Sequence, residues 1–293
     1  MTLRLEPDSP KSPDTAAYLG LACELAYLPD ALARPRFADE LGLDAKLISV
    51  DNTQVYVGTN ETSMVLAFRG SESPESLDGF KDWLLTNASN FLVLPEGDLG
   101  TDFVAAGVGA RFHRGFLQAL DAIWAPLYAE VERAMTEKER PIWVTGHSLG
   151  GALALLASWR LARKFYPPCC IVTFGAPMIG NEAAAQAFER EFSGKIVRYV
   201  DEFDLVPLLP RVALLANDYS HCPAEERLAA AIASANVDTP ADAVLQSIAG
   251  SVAQAVLDAT MIDNLWAGLK HRIAHHMISN YLARLEERRK SPV

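Results

Sequence analysis

The stretch from Pro141 to Arg163, PIWVTGHSLGGALALLASWRLAR, constrains the fold of this 293-residue chain more than any other. Its opening Pro-Ile-Trp-Val-Thr is short, apolar and β-rich, whereas strong helix formers with apolar positions at helical spacing follow Leu149. Between them lies Gly146-His147-Ser148-Leu149-Gly150, a serine in a tight strand-to-helix turn with small residues two positions to either side. Gly146 and Gly150 let strand and helix approach closely. The helix N-terminus points its amides at the serine, so the Leu149 N–H can donate to an oxyanion formed where Ser148 attacks. Ser148 is the candidate nucleophile. Three fixed positions in five also arise by chance, but the strand before, the helix after and the further Gly151 argue against chance here. A nucleophile needs, in addition, a base, an acid to orient that base and a second oxyanion donor.

The chain is long enough for a substantial core, and half of its residues are hydrophobic. With 26 Lys and Arg against 37 Asp and Glu, the formal charge of -11 opposes nonspecific attraction to nucleic acid or anionic lipid surfaces. Four cysteines, Cys23, Cys169, Cys170 and Cys222, make no disulfide framework for a chain of this size and are expected as thiols. The first residues carry acids and prolines instead of a basic region followed by an apolar run, so no secretory signal is visible. Cytoplasmic residence is the expectation, with secretion by another route left open.

Along the chain, residues 1 to 13 read as a disordered lead and Thr15 to Leu28 as a helix ended by Pro29. Lys46 to Val50, Gln54 to Gly58 and Ser63 to Phe68 read as strands, the last two joined by a turn at Thr59-Asn60-Glu61. Glu72 to Asp82 is polar and turn-rich, Trp83 to Leu94 is apolar again, and a loose Gly-rich loop runs to about Arg111. Gly115 to Met135 reads as a helix, Ile171 to Phe174 as a buried strand, Asn181 to Phe192 as a helix and Ile196 to Val200 as another strand. This alternation from Pro141 onward predicts a parallel sheet with helices on both faces, and ligands at the carboxyl ends of its strands. Residues 224 to 268 break the rhythm with alanine-rich helical sequence; Asp242, Gln246, Gln254 and Asp258 interrupt it, so it is no membrane span. It reads as a helical pair packed on the main body, with a moving cap or an interfacial helix as the alternatives.

A hydrolase of this architecture takes its acid and then its histidine after the elbow, in that order. Asp201, Glu202 and Asp204 close the strand that ends at Val200, and Asp204 precedes an apolar Leu-Val-Pro segment that would hold and partly shield a carboxylate. That setting favours Asp204, although periodicity does not decide between it and Asp201. Of the six histidines, His113, His147 and His221 are assigned structural roles; His147 lies in the elbow and points away from its own serine. Near the C-terminus, Met277, Ile278, Tyr281, Leu282 and Leu285 form one apolar face of a helix, so His276 stands at its start, within reach of the serine. His271 and His275 are four apart, but His-Glu-x-x-His is absent and no Cys or carboxylate stands at an evident ligand spacing, so no metal is expected.

With these residues in hand, the chain resembles the fungal-type, class 3 lipase family. The matches run in order: Phe68-Arg69-Gly70-Ser71, His113-Arg114-Gly115-Phe116, VTGHSLGGAL from Val144 to Leu153, TFGAPMIGN from Thr173 to Asn181, and Asp204-Leu205-Val206-Pro207-Leu208-Leu209-Pro210. They cover the chain from about Ala16 to Tyr281, apart from the block at 224 to 268. The resemblance implies an α/β-hydrolase fold, a mostly parallel central sheet flanked by helices, over a single domain at residues 14–293, with 224–268 as a helical insertion before the catalytic histidine. It also implies Asp204 as the triad acid, and His276 as the triad histidine because His276, Ile278 and Tyr281 satisfy the pattern His-x-apolar-x-x-Tyr where His275 does not. Ser71 becomes the first oxyanion donor, with the Leu149 N–H as the second, and Glu72 to Asp82 the lid. One departure stands out: family members often carry an acidic residue three positions after the tryptophan matched by Trp83, and here Thr86 and Asn87 occupy that neighbourhood.

The reading is a serine carboxylic-ester hydrolase, a lipase acting on acylglycerols through Ser148, His276 and Asp204. Within the class the alternatives are a soluble carboxylesterase and a phospholipase cleaving the first acyl chain; outside it, a lipase-like binding protein with a silent site. No cofactor is implied. The expected partners are an acyl ester or lipid substrate and transient contact with a lipid interface, with no nucleic acid and no transmembrane segment. Oligomeric state, head group and acyl length are left open, as is whether 72–82 or 224–268 moves.

Overall fold

The computed structural model of the chain describes residues 3–6, 9–70, 91–208, 218–228 and 272–290. In chain order the strands are β1 (Asp44–Val50), β2 (Thr53–Thr59), β3 (Met64–Phe68), β4 (Leu92–Val93), β5 (Phe112–His113), β6 (Ile142–His147), β7 (Cys170–Phe174), β8 (Gly180–Asn181), β9 (Ile196–Asp201), β10 (Tyr219–Ser220) and β11 (Glu225–Leu228). The helices are α1 (Pro13–Leu25), α2 (Asp30–Leu41), α3 (Gly97–Phe103), α4 (Arg114–Glu137), α5 (Leu149–Arg163), α6 (Glu182–Glu191), α7 (Ile273–His276) and α8 (Ile278–Lys290).

The main sheet has the order β1-β2-β3-β6-β7-β9-β11. β1, β2 and β3 form an antiparallel meander, and β3, β6, β7, β9 and β11 run parallel. The turn into β3 is built by Asn60, whose Oδ1 accepts the N–H groups of Thr62 and Ser63, each at 2.9 Å. Side chains alternate between two cores. Val55, Val57, Leu66, Phe68, Val144 and Ile171 pack with α4, α5 and α6; Tyr56, Val65, Ala67, Trp143, Val172 and Tyr199 pack with α1, α2 and α8. Both faces are therefore covered, and the middle strands β3, β6 and β7 are buried at every position, which is why they read as continuous apolar runs. A small antiparallel sheet of order β10-β8-β5-β4 lies beside the main one.

Several expectations change. The lead is ordered where described: Leu3 and Leu5 pack against the α1 core, and the Glu6 N–H donates to Thr15 Oγ1 at 3.0 Å. α1 starts at Pro13, capped by Ser12, and ends at Leu25, with a turn carrying the chain to Pro29. α2 was hidden by its internal Pro35 and is ended by Gly42 at φ 64°. The Gly-rich loop before Arg111 contains α3 and a short 3-10 turn at Val104–Ala106, because Phe103 and Ala106 are drawn into the core. Glu225–Leu228, at the head of the block expected to be helical, is instead the edge strand β11, paired in parallel with β9. The remainder of that block, 229–268, and the expected lid at 72–82 lie outside the described residues.

The parallel strands bring four chain ends to one edge of the sheet. Gly70 follows β3, Ser148 follows β6, Gly175 follows β7 and Asp204 follows β9. That edge is where open α/β sheets gather ligands.

Candidate active site

Ser148 sits between β6 and α5 at φ 57° and ψ -131°, a conformation that costs a non-glycine residue energy and that the surroundings enforce. The neighbouring glycines are required by space: a Cβ on Gly146 would lie 2.1 Å from the Gly150 oxygen, and one on Gly150 would lie 2.2 Å from the Phe68 oxygen. The Ser148 N–H donates to the Phe174 carbonyl at 2.9 Å, fixing the turn to β7. Leu149 opens α5, so its N–H belongs to the unpaired first turn of a 15-residue helix.

The acid and the histidine converge on this serine from distant parts of the chain. His276 Nε2 is 2.8 Å from Ser148 Oγ, and His276 Nδ1 is 2.8 Å from Asp204 Oδ2. All three residues are buried. Asp204 Oδ1 accepts the Val206 N–H at 2.9 Å, and Oδ2 also accepts the Tyr281 hydroxyl at 2.7 Å. Burial alone would raise the Asp204 carboxyl, but the adjacent His276 and the hydrogen bonds from His276, Tyr281 and Val206 outweigh it and hold the carboxyl below its ordinary value. Tyr281 has a second task, accepting the Asp201 N–H at 3.1 Å, so one phenol ties the end of β9 to the carboxylate.

Asp201, the other acid considered, is engaged by other groups. It is fully buried, pairs with Arg284, and accepts Asn280 Nδ2 at 2.9 Å and the Phe203 N–H at 2.8 Å. His275 lies beside it, with Nδ1 3.7 Å from Asp201. His276 is the last residue of the short α7, separated from the start of α8 at Ile278 by Met277 alone. The other described histidines each hold a segment. His113 caps α4, accepting the Phe116 N–H at 3.3 Å, and burial pushes its imidazole down to about 3. His221 donates from Nε2 to the Pro207 carbonyl at 2.5 Å, holding the segment that follows Asp204. Ser71, Trp83, Thr86, Asn87 and His271 lie outside the described residues.

Two contributors had little signal in the sequence. Tyr281 enters the sequence reading as an apolar helix-face residue and as the tyrosine of the pattern His-x-apolar-x-x-Tyr, neither of which reveals its hydroxyl contact with Asp204. Gly175 reads as a strand end, yet a Cβ there would lie 2.8 Å from Asp204 Oδ2, 3.0 Å from the Tyr281 hydroxyl and 3.1 Å from His276 Nδ1. Its φ of 57° adds a second demand for glycine. The nearest signal was the Gly-Ala-Pro punctuation that ends β7.

This arrangement can draw a proton from the Ser148 hydroxyl and stabilise the imidazolium that results, because a buried carboxylate stands behind the ring. A mostly parallel sheet with a strand-turn-helix serine at its carboxyl edge, followed in chain order by acid and histidine, defines the α/β-hydrolase fold. The chain belongs to the class 3 lipase family: the family model described as "Lipase (class 3)" matches residues 65–213, about half of the chain.

Protein EDS1 of Arabidopsis thaliana is 36% identical over 136 residues, which cover 42% of this chain and 22% of that protein. Secreted mono- and diacylglycerol lipase 1 of Fusarium solani is 34% identical over 160 residues, 54% of this chain and 43% of that protein. The match thus spans less than half the length of either relative. Among solved structures, Lip2 lipase from Yarrowia lipolytica superposes with a TM-score of 0.59 at 22% identity, covering 73% of this chain and 77% of that one. At that identity the likeness supports the fold.

Proposed function

We propose that this chain is a serine carboxylic-ester hydrolase that cleaves acylglycerols through an acyl-enzyme on Ser148. The observation that carries the reading is the unbroken line from Ser148 Oγ through His276 to Asp204, with both contacts at 2.8 Å. His276 takes the serine proton as Oγ attacks the ester carbonyl, then gives it to the departing alcohol. Asp204 orients the ring and stabilises its cationic form. The Leu149 N–H and Ser71 receive the oxyanion, and water activated by His276 then releases the fatty acid and frees Ser148. Membership of the class 3 lipase family and similarity to a fungal mono- and diacylglycerol lipase support an acylglycerol substrate.

Hydrolysis of p-nitrophenyl esters from acetate to palmitate, with and without emulsified triglyceride, tests the reading. Long-chain turnover that rises with the emulsion is expected. Ser148→Ala should lower kcat by roughly 10⁴- to 10⁶-fold, and Ser71→Ala by roughly 10²- to 10³-fold. Turnover confined to short soluble esters makes the chain an esterase instead. Equal rates for wild type and Ser148→Ala, or a serine that a fluorophosphonate does not label, overturn the assignment.

A further inference from the structure

His147 is the residue before the nucleophile, and it points away from Ser148 toward the main chain of the histidine loop. Its Nε2 lies 2.6 Å from the His276 carbonyl oxygen and its Nδ1 lies 2.8 Å from the Tyr27 hydroxyl. A carbonyl can only accept, so Nε2 carries the ring proton. Burial, then the neighbouring His276, push this imidazole down to about 3, so it is neutral with a single N–H. Nδ1 is therefore bare, and Tyr27 donates to it. The direction of the chain is fixed: Tyr27 O–H to His147 Nδ1, then His147 Nε2–H to the His276 carbonyl.

The same phenol touches the opposite wall of the site. A Cβ on Gly70 would lie 2.0 Å from the Tyr27 oxygen, so only glycine there lets Tyr27 reach His147. Gly70 immediately precedes Ser71, and the Arg69 guanidinium sits 5.8 Å from the Tyr27 ring centre. Tyr27 thus lies between the end of β3 and the elbow, and reaches the His276 main chain only through His147. The His147 and His276 rings are 4.7 Å apart, so a charge on His147 would oppose the imidazolium that His276 must become.

We propose that His147, held in one tautomer by Tyr27, is a positioning residue for ester hydrolysis: its Nε2–H fixes the main chain of His276 and so sets the distance from that ring to Ser148. The proposal rests on the reading of Ser148 and His276 as nucleophile and base. Its physical content is that His276 is the last residue of a four-residue helix and precedes an extended Met277, so the ring's position depends on where the end of that short helix is held. The His276 carbonyl is clamped by His147, the last residue of β6, and Ser148 follows it directly, so nucleophile and base are both referenced to the end of one strand.

Three variants of the full chain test this: His147→Phe, His147→Gln and Tyr27→Phe, each assayed for kcat and KM on p-nitrophenyl butyrate. Rates are taken per active site, counted by the end-point of fluorophosphonate labelling, so that misfolded protein is not scored. His147→Phe keeps the bulk and loses the donor, and kcat is expected to fall about 10- to 100-fold with KM little changed. His147→Gln restores one donor and one acceptor, and should recover most of that loss. Tyr27→Phe keeps the Nε2–H contact and frees the tautomer, so a fall of about 3- to 10-fold is expected. A role confined to packing predicts the reverse order, with phenylalanine better tolerated than glutamine and kcat per labelled site unmoved; either result overturns the proposal. If His147→Phe gives no folded protein, an unchanged kcat in Tyr27→Phe alone overturns it. Failure of the underlying reading looks different, since wild type itself would then show neither turnover nor labelling, and the proposal would fall with it.

Discussion

At the scale of single residues, the site is held by groups that do not themselves react. Gly175 leaves the space in which Asp204, Tyr281 and His276 meet, and its positive φ makes alanine unfavourable twice over, by backbone strain and by contact. Gly175→Ala is expected to lower kcat by about 10²-fold, because displacing either partner by a fraction of an ångström lengthens the contact that orients the imidazole. It should also cost about 1–3 kcal/mol of stability. Urea unfolding beside kcat per labelled site checks both, and unchanged kcat would mean that the carboxylate tolerates displacement. Ser148 was legible because a strained serine between strand and helix needs its glycines in sequence. The apolar segment after Asp204 favoured it over Asp201 without deciding between them, and the family pattern then selected Asp204, and His276 over His275. Tyr27 was not legible as a partner of the site, since it meets His147 across 120 positions and no local pattern records such a contact.

At the scale of elements, the least expected feature is how firmly α3 is fixed. Asp102 is buried on that short helix and accepts Arg160 Nε of α5 at 2.9 Å, with Lys164 Nζ at 3.1 Å. Its carbonyl accepts Trp159 Nε1 at 2.9 Å. Arg160 in turn lies 4.1 Å over the Trp124 ring of α4, so one ion pair joins three helices. Asp102→Ala would leave the Arg160 guanidinium, 3% exposed, with only the half-exposed Asp121 carboxylate at 3.2 Å, and should cost up to about 3–5 kcal/mol. Replacing the pair together, Asp102→Leu with Arg160→Met, should recover much of that loss, and kcat per labelled site should hold in both variants. Urea titrations of the single and double variants decide it; a double variant no more stable than the single would mean that packing, and not the loss of the buried carboxylate from Arg160, sets the cost. Strands and helices with strong periodicity were legible to within a few residues. α2 was not, because Pro35 reads as a breaker, and α3 was not, because its glycines mask a segment anchored by tertiary contacts at Asp102 and Phe103. β11 was not because Glu225, Glu226 and Arg227 show no apolar alternation, and its pairing comes from β9.

At the scale of the whole molecule, burying histidines in neutral form makes folding depend on pH over a range well above that of the carboxylates. Burial pushes both His113 and His147 down to about 3, the first within the small sheet and the second beneath the site. In the unfolded chain each titrates near the ordinary value of about 6.5. Between those values the unfolded state binds protons that the native state does not, so stability is full above about pH 6.5 and falls as the pH drops toward 3. The slope is up to about 1.4 kcal/mol per pH unit for each histidine. Asp204 adds to this only at lower pH: its carboxyl lies below the ordinary value, so its contribution is present above about pH 4 and is lost as the pH falls through the native value. Urea unfolding at intervals from pH 7.5 to 5 should therefore give a stability that is flat at first and then declines below about 6.5, before the carboxylates respond. His113→Asn combined with His147→Gln removes both groups, and the decline over this range should become markedly shallower even if the absolute stability is lower. A slope unchanged in that double variant would place the acid sensitivity in other groups and would show that these two imidazoles accept protons in the folded state.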